Sequence, residues 1–158
     1  MTHGGKGAVN HYQSIKGAWG ALPALKKGGH IILFAHNQDE EPIGSQHYKD
    51  LMKKFAEVGL GNFYPLICSD NWEFTHDQWE VQKWEQFFTR ISGYNQLIYC
   101  TTNIAPKVLA GLQGMSGYKF IKDSPQDIPQ CYRMQFIIVC HRRKTPRWLL
   151  LKRGLMLF

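Results

Sequence analysis

Tyr12, Gln13 and Lys16 are the residues of this chain whose types and spacing could do chemistry together. On a helix, Tyr12 and Lys16 at i,i+4 share a face, and Gln13 with Lys16 at i,i+3 can converge on it. A phenol, an amide and an ammonium near a helix N-terminus, where unpaired N–H groups carry partial positive charge, suit the binding of a carboxylate. The same residues admit a plainer reading, with Tyr12 in the core and Gln13 and Lys16 in water. No dinucleotide fingerprint, P-loop, nucleophile elbow or His-Glu-x-x-His motif is present, and the histidines have no metal-ligand spacing. Catalytic residues and metal ligands are therefore not assigned within the chain. On this evidence a complete active site needs something supplied from outside.

The elements that must position these residues follow from hydrophobic spacing. From His11 to Lys27, Tyr12, Ile15, Ala18, Trp19, Leu22 and Leu25 recur at helical intervals, and Lys26-Lys27-Gly28-Gly29 closes the helix. His30 to His36 is a continuous apolar run, as expected of a strand covered on both faces. Ser45 to Val58 reads as a helix closed by Gly59 and Gly61, and Phe63 to Cys68 as a short strand. Thr75 or Asp77 can cap a helix running through Ile91, with Trp79, Val81, Trp84, Phe87, Phe88 and Ile91 as its apolar members. Gln96 to Thr101 reads as a buried strand, Ile104 to Leu112 as a short helix, Tyr118 to Ile121 as a strand and Met134 to Val139 as one more. Strands alternating with helices predict a single α/β domain, a mostly parallel sheet with helices on both faces in a Rossmann-like three-layer arrangement.

Charge and composition narrow the class. The chain has 158 residues, 44% of them hydrophobic, which is enough for one ordinary core, and no run reaches the roughly 18–20 apolar residues of a membrane span. A soluble, cytoplasmic protein is expected. Cys68, Cys100, Cys131 and Cys140 fall singly and are expected to be buried free thiols. The net charge of +7 is not spread over the body: all acidic residues lie at or before Asp127, and Arg133, Arg142, Arg143, Lys144, Arg147, Lys152 and Arg153 carry the excess. Residues 1–8 read as a glycine-rich flexible lead-in, 1–130 as the domain, and 131–158 as a basic, leucine-rich tail that is non-native or disordered, or else amphipathic.

Val9-Asn10-His11-Tyr12-Gln13 with Lys16, followed by Lys27-Gly28-Gly29-His30-Ile31-Ile32-Leu33, resembles the start of the C-terminal domain of the nickel-pincer lactate racemase family. There the pattern is Gly-Gly-x-Pro-Lys-Asp-(Ile/Val)-Asn-x-Tyr-Gln-x-x-Lys, from which Gly4 to Ala8 departs. Thr75 to Gln82 resembles the family's Asp-Gln-Trp-x-x-Gln helix start, and Asp123 to Pro129 its closing segment. The matches span about residues 4–130 in the family's order. The resemblance implies a substrate-binding C-terminal domain of a 2-hydroxyacid racemase or sugar-acid-type epimerase. Hydride transfer would use a nickel-pincer nucleotide held, with the catalytic histidines, by a cognate N-terminal domain outside this chain. Carried over, Lys16 and Gln13 bind the substrate carboxylate, Tyr12 lines the site, and Trp79 shields it from water unless it is simply core. His11 is given no acid/base role. The chain alone is expected to be inactive, to bind no cofactor by itself, and to engage neither nucleic acid nor membrane. Two rivals stand beside this reading: a binding module whose basic tail docks on nucleic acid or an anionic membrane, and a self-contained α/β enzyme, which a polar pocket remote from Tyr12 and Lys16 would favour.

Overall fold

The computed structural model describes residues 2–3 and 7–120. Four strands, β1 (Thr2–His3), β2 (Ile31–Phe34), β3 (Leu97–Cys100) and β4 (Met115–Ser116), pair in sequence order and all in parallel. Ile31 pairs with Leu97 and Phe34 with Cys100, so the two central strands run in full register. The intervening helices are α1 (His11–Gly20), α2 (Gln46–Val58), α3 (Phe63–Ile67), α4 (Gln78–Arg90) and α5 (Pro106–Leu109). The α/β class expected from the sequence is the one observed. Thr2 and His3, within the presumed lead-in, are strand residues, paired with Leu33 and Phe34.

Side-chain direction alternates along the strands as the pleat requires, while every residue of β2 and β3 is buried. Ile31, Leu33, Ala35, Leu97 and Tyr99 join the main core with α1, α2, α3 and α4, whereas Ile32, Phe34, Ile98 and Cys100 are buried on the opposite face and stand outside that cluster. Covering on both faces is why β2 and β3 read as unbroken apolar runs. Helices α1, α2 and α3 all pack on α4. The centre of the layer is aromatic: Trp84, Phe87, Phe88, Phe55 and Phe63 are fully buried, with Trp84 stacked on Phe88 at 5.6 Å. Aromatic side chains dominate the area a core of this size removes from water.

Local signals explain the long helices. Ser45 caps α2, its hydroxyl taking the Tyr48 N–H at 3.1 Å, and Tyr48, Leu51, Met52 and Phe55 form the buried stripe. Helix α1 is shorter than its apolar spacing suggested, ending at Gly20 before a 3₁₀ turn at Leu22–Ala24 that holds Pro23.

Two expected strands are corrected. Phe63–Cys68 is not a strand: Phe63–Ile67 is helix α3, because the buried Glu85 carboxylate on α4 takes the Phe63 and Tyr64 N–H groups at 2.8 and 2.7 Å. Cys68 accordingly follows a helix and is exposed rather than buried, while Cys100 is buried. The strand expected at Tyr118–Ile121 is displaced over its described part, since β4 lies at Met115–Ser116 and Gly117–Phe120 is a 3₁₀ turn, and Ile121 lies outside the described residues. Gly114 explains the earlier pairing: at φ 109° it lies where a Cβ would come 3.1 Å from Leu97 Cδ2. The strand expected at Met134–Val139, the segment Asp123–Pro129 and the basic tail lie outside the described residues. Among the described residues no helix is long and apolar enough to cross a membrane.

Glu85→Ala leaves two backbone donors at the start of α3 without their acceptor, so it should cost about 2–4 kcal/mol in urea unfolding. Glu85→Gln, which keeps an acceptor oxygen, should cost less. Equal stability of Glu85→Ala and the parent would disprove this account of α3.

Candidate functional site

In a parallel sheet the crossover helices return antiparallel to the strands, so their N-termini gather at the strands' carboxyl ends, where α/β proteins bind ligands. Here the starts of α1, α2 and α4 meet. Asn10 caps α1, its Oδ1 accepting the Gln13 N–H at 2.9 Å. The lead into α1 is tied to the chain that follows β2: Asn37 and Asp39 donate N–H bonds to Ala8 and Val9, and Asn10 Nδ2 donates to Asp39 Oδ2 at 3.0 Å. The His11 and Tyr12 N–H groups go to the carbonyls of Pro42 and Ile43 at 2.8 and 3.1 Å. The first three N–H groups of α1 are thus all bonded within the protein. The expectation that unpaired backbone donors at this helix start hold an anion is corrected; only side chains remain to do so.

Beneath that helix start lie two buried polar clusters. The Tyr99 hydroxyl donates toward Ser14 Oγ at 2.8 Å and Asn37 Oδ1 at 2.9 Å, and Asn37 Nδ2 donates to Ser14 Oγ at 3.1 Å. Burial pushes the Tyr99 phenol well up, against the opposing effect of its bonds to Ser14 and Asn37. In the second cluster Trp84 Nε1 donates to the Tyr48 hydroxyl at 2.9 Å, and that hydroxyl lies 2.9 Å from His11 Nδ1. The His11 ring stacks on Trp84 at 4.7 Å. Fully desolvated, His11 is pushed down to about 3 and stays neutral, with Nδ1 hydrogen-bonded to the Tyr48 hydroxyl. His11 is a core group, consistent with its having no acid/base assignment.

The residues expected to bind substrate stand on this floor. Tyr12 is half-buried, its ring edge-on to Tyr48 at 5.2 Å. Gly44, at φ 125°, makes room for both: a Cβ there would come 3.1 Å from the Tyr48 ring and 3.2 Å from Tyr12 Cβ. The Tyr12 hydroxyl interacts with Asp77 and Trp79 at the start of α4; its pKa is raised by burial first, then by the Asp77 and Glu80 charges, with Trp79 acting the other way. The structure therefore brings together Tyr12 and Trp79, which come from two distant motifs. Trp79 is 41% exposed and does not belong to the core, a role that Trp84 fills. Gln13 is half-buried and Lys16 exposed on the same helix, and among the described residues neither side chain has a hydrogen-bond or ion-pair partner.

Sequence reasoning assigned no binding role to the two acids of the α4 start. Asp77 is the N-cap but takes a left-handed conformation at φ 68° and makes no side-chain cap; its carboxylate instead receives Ser45 Oγ at 3.4 Å. Glu80 is buried, with Oε1 3.0 Å from Lys83 Nζ and Oε2 without a partner among the described residues. Their presence inside the Asp-Gln-Trp motif at three-residue spacing was the available signal. The site is thus bipolar. Its α4 side accepts hydrogen bonds, and its α1 side offers an ammonium and an amide, a combination suited to a molecule with hydroxyl and carboxylate groups. Among the described residues no group of three His, Cys, Asp or Glu side chains could hold a metal ion. A groove of about 510 Å³ between α2 and α5, lined by Ile43, Met52, Ala56 and Leu112 among others, is mainly apolar and offers no rival polar pocket.

Fold and geometry together define an α/β domain in which the starts of α1, α2 and α4 converge and Tyr12 meets Trp79. Residues 2–126 match the family model described as lactate racemase C-terminal domain, and the chain belongs to that family. Comparison with curated proteins and with solved structures gave no match.

Since His11 has its ordinary value of 6.5 when unfolded and about 3 when folded, its contribution to stability is complete above 6.5 and is lost as pH falls toward 3. At pH 5 the loss should be about 2 kcal/mol. Urea midpoints at pH 7.5 and 5 should show that loss in the parent and not in His11→Phe; parallel pH profiles would refute it.

Proposed function

We propose that this chain is the substrate-binding C-terminal domain of a racemase or epimerase acting on 2-hydroxyacids, including sugar acids. The observation that carries the reading is the meeting of Tyr12 with Trp79 beside a helix whose Gln13 and Lys16 side chains have no partner in the described chain. The family description supports the racemase class. Lys16 supplies a cation for the carboxylate and Gln13 a neutral donor that orients it. Tyr12 borders the hydroxyl-bearing end, facing Asp77. Trp79 covers the bound acid with an indole that keeps water from the reacting carbon.

In the complete enzyme the nickel-pincer nucleotide, when bound, supplies the hydride acceptor that removes and returns hydrogen at C2. The phenol, amide, ammonium and indole gathered here do not fit that group, which belongs on this reading to the N-terminal domain with the catalytic histidines. This domain holds and orients the acid and excludes water.

Titrating the isotopically labelled chain with D- and L-lactate and with an aldonic acid should shift the side-chain signals of Gln13 and the Trp79 indole. Lys16→Met should weaken that binding at least tenfold, about 1.4 kcal/mol. The chain alone, even with the cofactor added, should racemise neither lactate enantiomer. Shifts confined to the Met52 and Leu112 groove, or turnover by the isolated chain, would defeat the reading.

A further inference from the structure

Among the described residues the buried side-chain oxygens without a hydrogen-bond partner are Glu80 Oε2, the Tyr94 and Ser116 hydroxyls and the Gln96 and Gln113 amide oxygens. Glu80 Oε2 alone of these belongs to a carboxylate, and a charged group left unpaired out of water costs more than a neutral one. Glu80 is only 3% exposed. Its other oxygen is served, because Lys83 Nζ lies 3.0 Å from Oε1 one turn further along α4. What Oε2 lacks is therefore a hydrogen bond rather than a countercharge.

The neighbours of Glu80 show which way it faces. Its carboxylate lies within electrostatic reach of the Tyr12 and Tyr48 phenols, which come from α1 and α2. Asp77, three residues earlier, interacts with the same Tyr12 hydroxyl and also receives Ser45 Oγ at 3.4 Å. Residues three apart at a helix start share a face, so both acids are turned toward the helix that carries Gln13 and Lys16. Oε2 is closed to water, and a group that pairs with it must displace a neighbouring side chain; Trp79, next to it in the chain and 41% exposed, has room to move.

The missing partner is a donor, since an ionised carboxylate only accepts. A second ammonium would be repelled by the Lys83 cation already at Oε1. Among the described residues no third metal-ligating side chain joins Asp77 and Glu80. A hydroxyl brings a proton without a charge. In the substrate-binding reading given above, on which this inference rests, Lys16 and Gln13 hold the carboxylate and the C2 hydroxyl lies toward Tyr12 and Asp77. An acid with that hydroxyl alone leaves Oε2 unpaired. A hydroxyl on C3 or C4 pairs with it.

We infer that Glu80 is a specificity-determining residue whose buried Oε2 accepts a substrate hydroxyl beyond C2, so that the site takes polyhydroxy acids in preference to acids hydroxylated at C2 alone. A buried acceptor discriminates strongly against a ligand that lacks the matching donor, because the acceptor then stays unpaired in the complex.

The test is titration of this chain, by calorimetry or NMR, with lactate, with glycerate, which differs from it by one C3 hydroxyl, and with erythronate, a four-carbon aldonic acid. The better of the two polyhydroxy acids should bind at least tenfold more tightly than lactate. In Glu80→Met, which keeps the length and loses the acceptor, that ratio should fall below about twofold, and Glu80→Gln, which keeps one acceptor oxygen, should retain part of it. Replacing a buried, incompletely paired carboxylate by an apolar chain should not lower the thermal midpoint. Should Glu80→Met fail to fold, the ratios in the parent and in Glu80→Gln decide. Lys16→Met should weaken all three acids alike. Equal affinities in the parent, or a preference that survives undiminished in the folded Glu80 variants, overturn the inference and leave the substrate-binding reading standing. Binding of none of the three acids overturns that reading, and the inference with it.

Discussion

An indole N–H buried in an aromatic core must find an acceptor, because the cost of leaving it dry and unpaired exceeds what most single contacts return. In this domain the Trp84 N–H finds the Tyr48 hydroxyl, and that hydroxyl reaches His11. The three residues belong to α4, α2 and α1, so one chain of hydrogen bonds fixes the mutual positions of the three helices whose starts make the site. Each link is directional, which apolar packing is not. Phe87, Phe88 and Phe55 are buried around it, yet they would tolerate small rotations of one helix on another. The hydrogen bonds do not.

A second network does the same for the sheet. Ser14 on α1, Asn37 after β2 and Tyr99 on β3 are mutually bonded, and Asn37 takes a left-handed conformation at φ 50° to join them. Helix α1 is therefore located by polar contacts to α2, through it to α4, to β3 and to the chain that follows β2. Tyr12 and Lys16 sit on the outer side of a helix whose inner side is held in this way. Such a floor suits orientation of a small acid, since displacement of a cation by an ångström or so is enough to lose a productive pose.

Much of this was legible in the sequence where signals are local. The starts of α1 and α2, the apolar stripes of α2 and α4, and the double-sided runs of β2 and β3 depend on residues within a turn or two, whereas Asp77, expected as a candidate cap, makes no side-chain cap. The family was legible from the Tyr-Gln-x-x-Lys and Asp-Gln-Trp motifs in order, and the match over residues 2–126 agrees with it. What failed was non-local. Phe63–Ile67 has strand-like composition, and only a carboxylate more than twenty residues away makes it a helix. Likewise β1 is two residues long and exists through its pairing with β2, so glycines nearby gave it the look of a lead-in. For the site, spacing placed Tyr12, Gln13 and Lys16 on one helix. It could not show that the loop at Pro42 and Ile43 consumes the backbone donors beneath them.

That consumption bears on which anions the domain ignores. A helix start with open N–H groups welcomes any small oxyanion, and inorganic phosphate is abundant in cells. With its amides already committed to Pro42, Ile43 and Asn10, α1 presents no such cradle. On the function proposed above, discrimination would fall to the Lys16 ammonium and the Gln13 amide, whose reach and geometry can be altered one side chain at a time without loosening the helix. On that reading the scaffold is insulated from the choice of ligand, and the acid bound could change while the fold is kept.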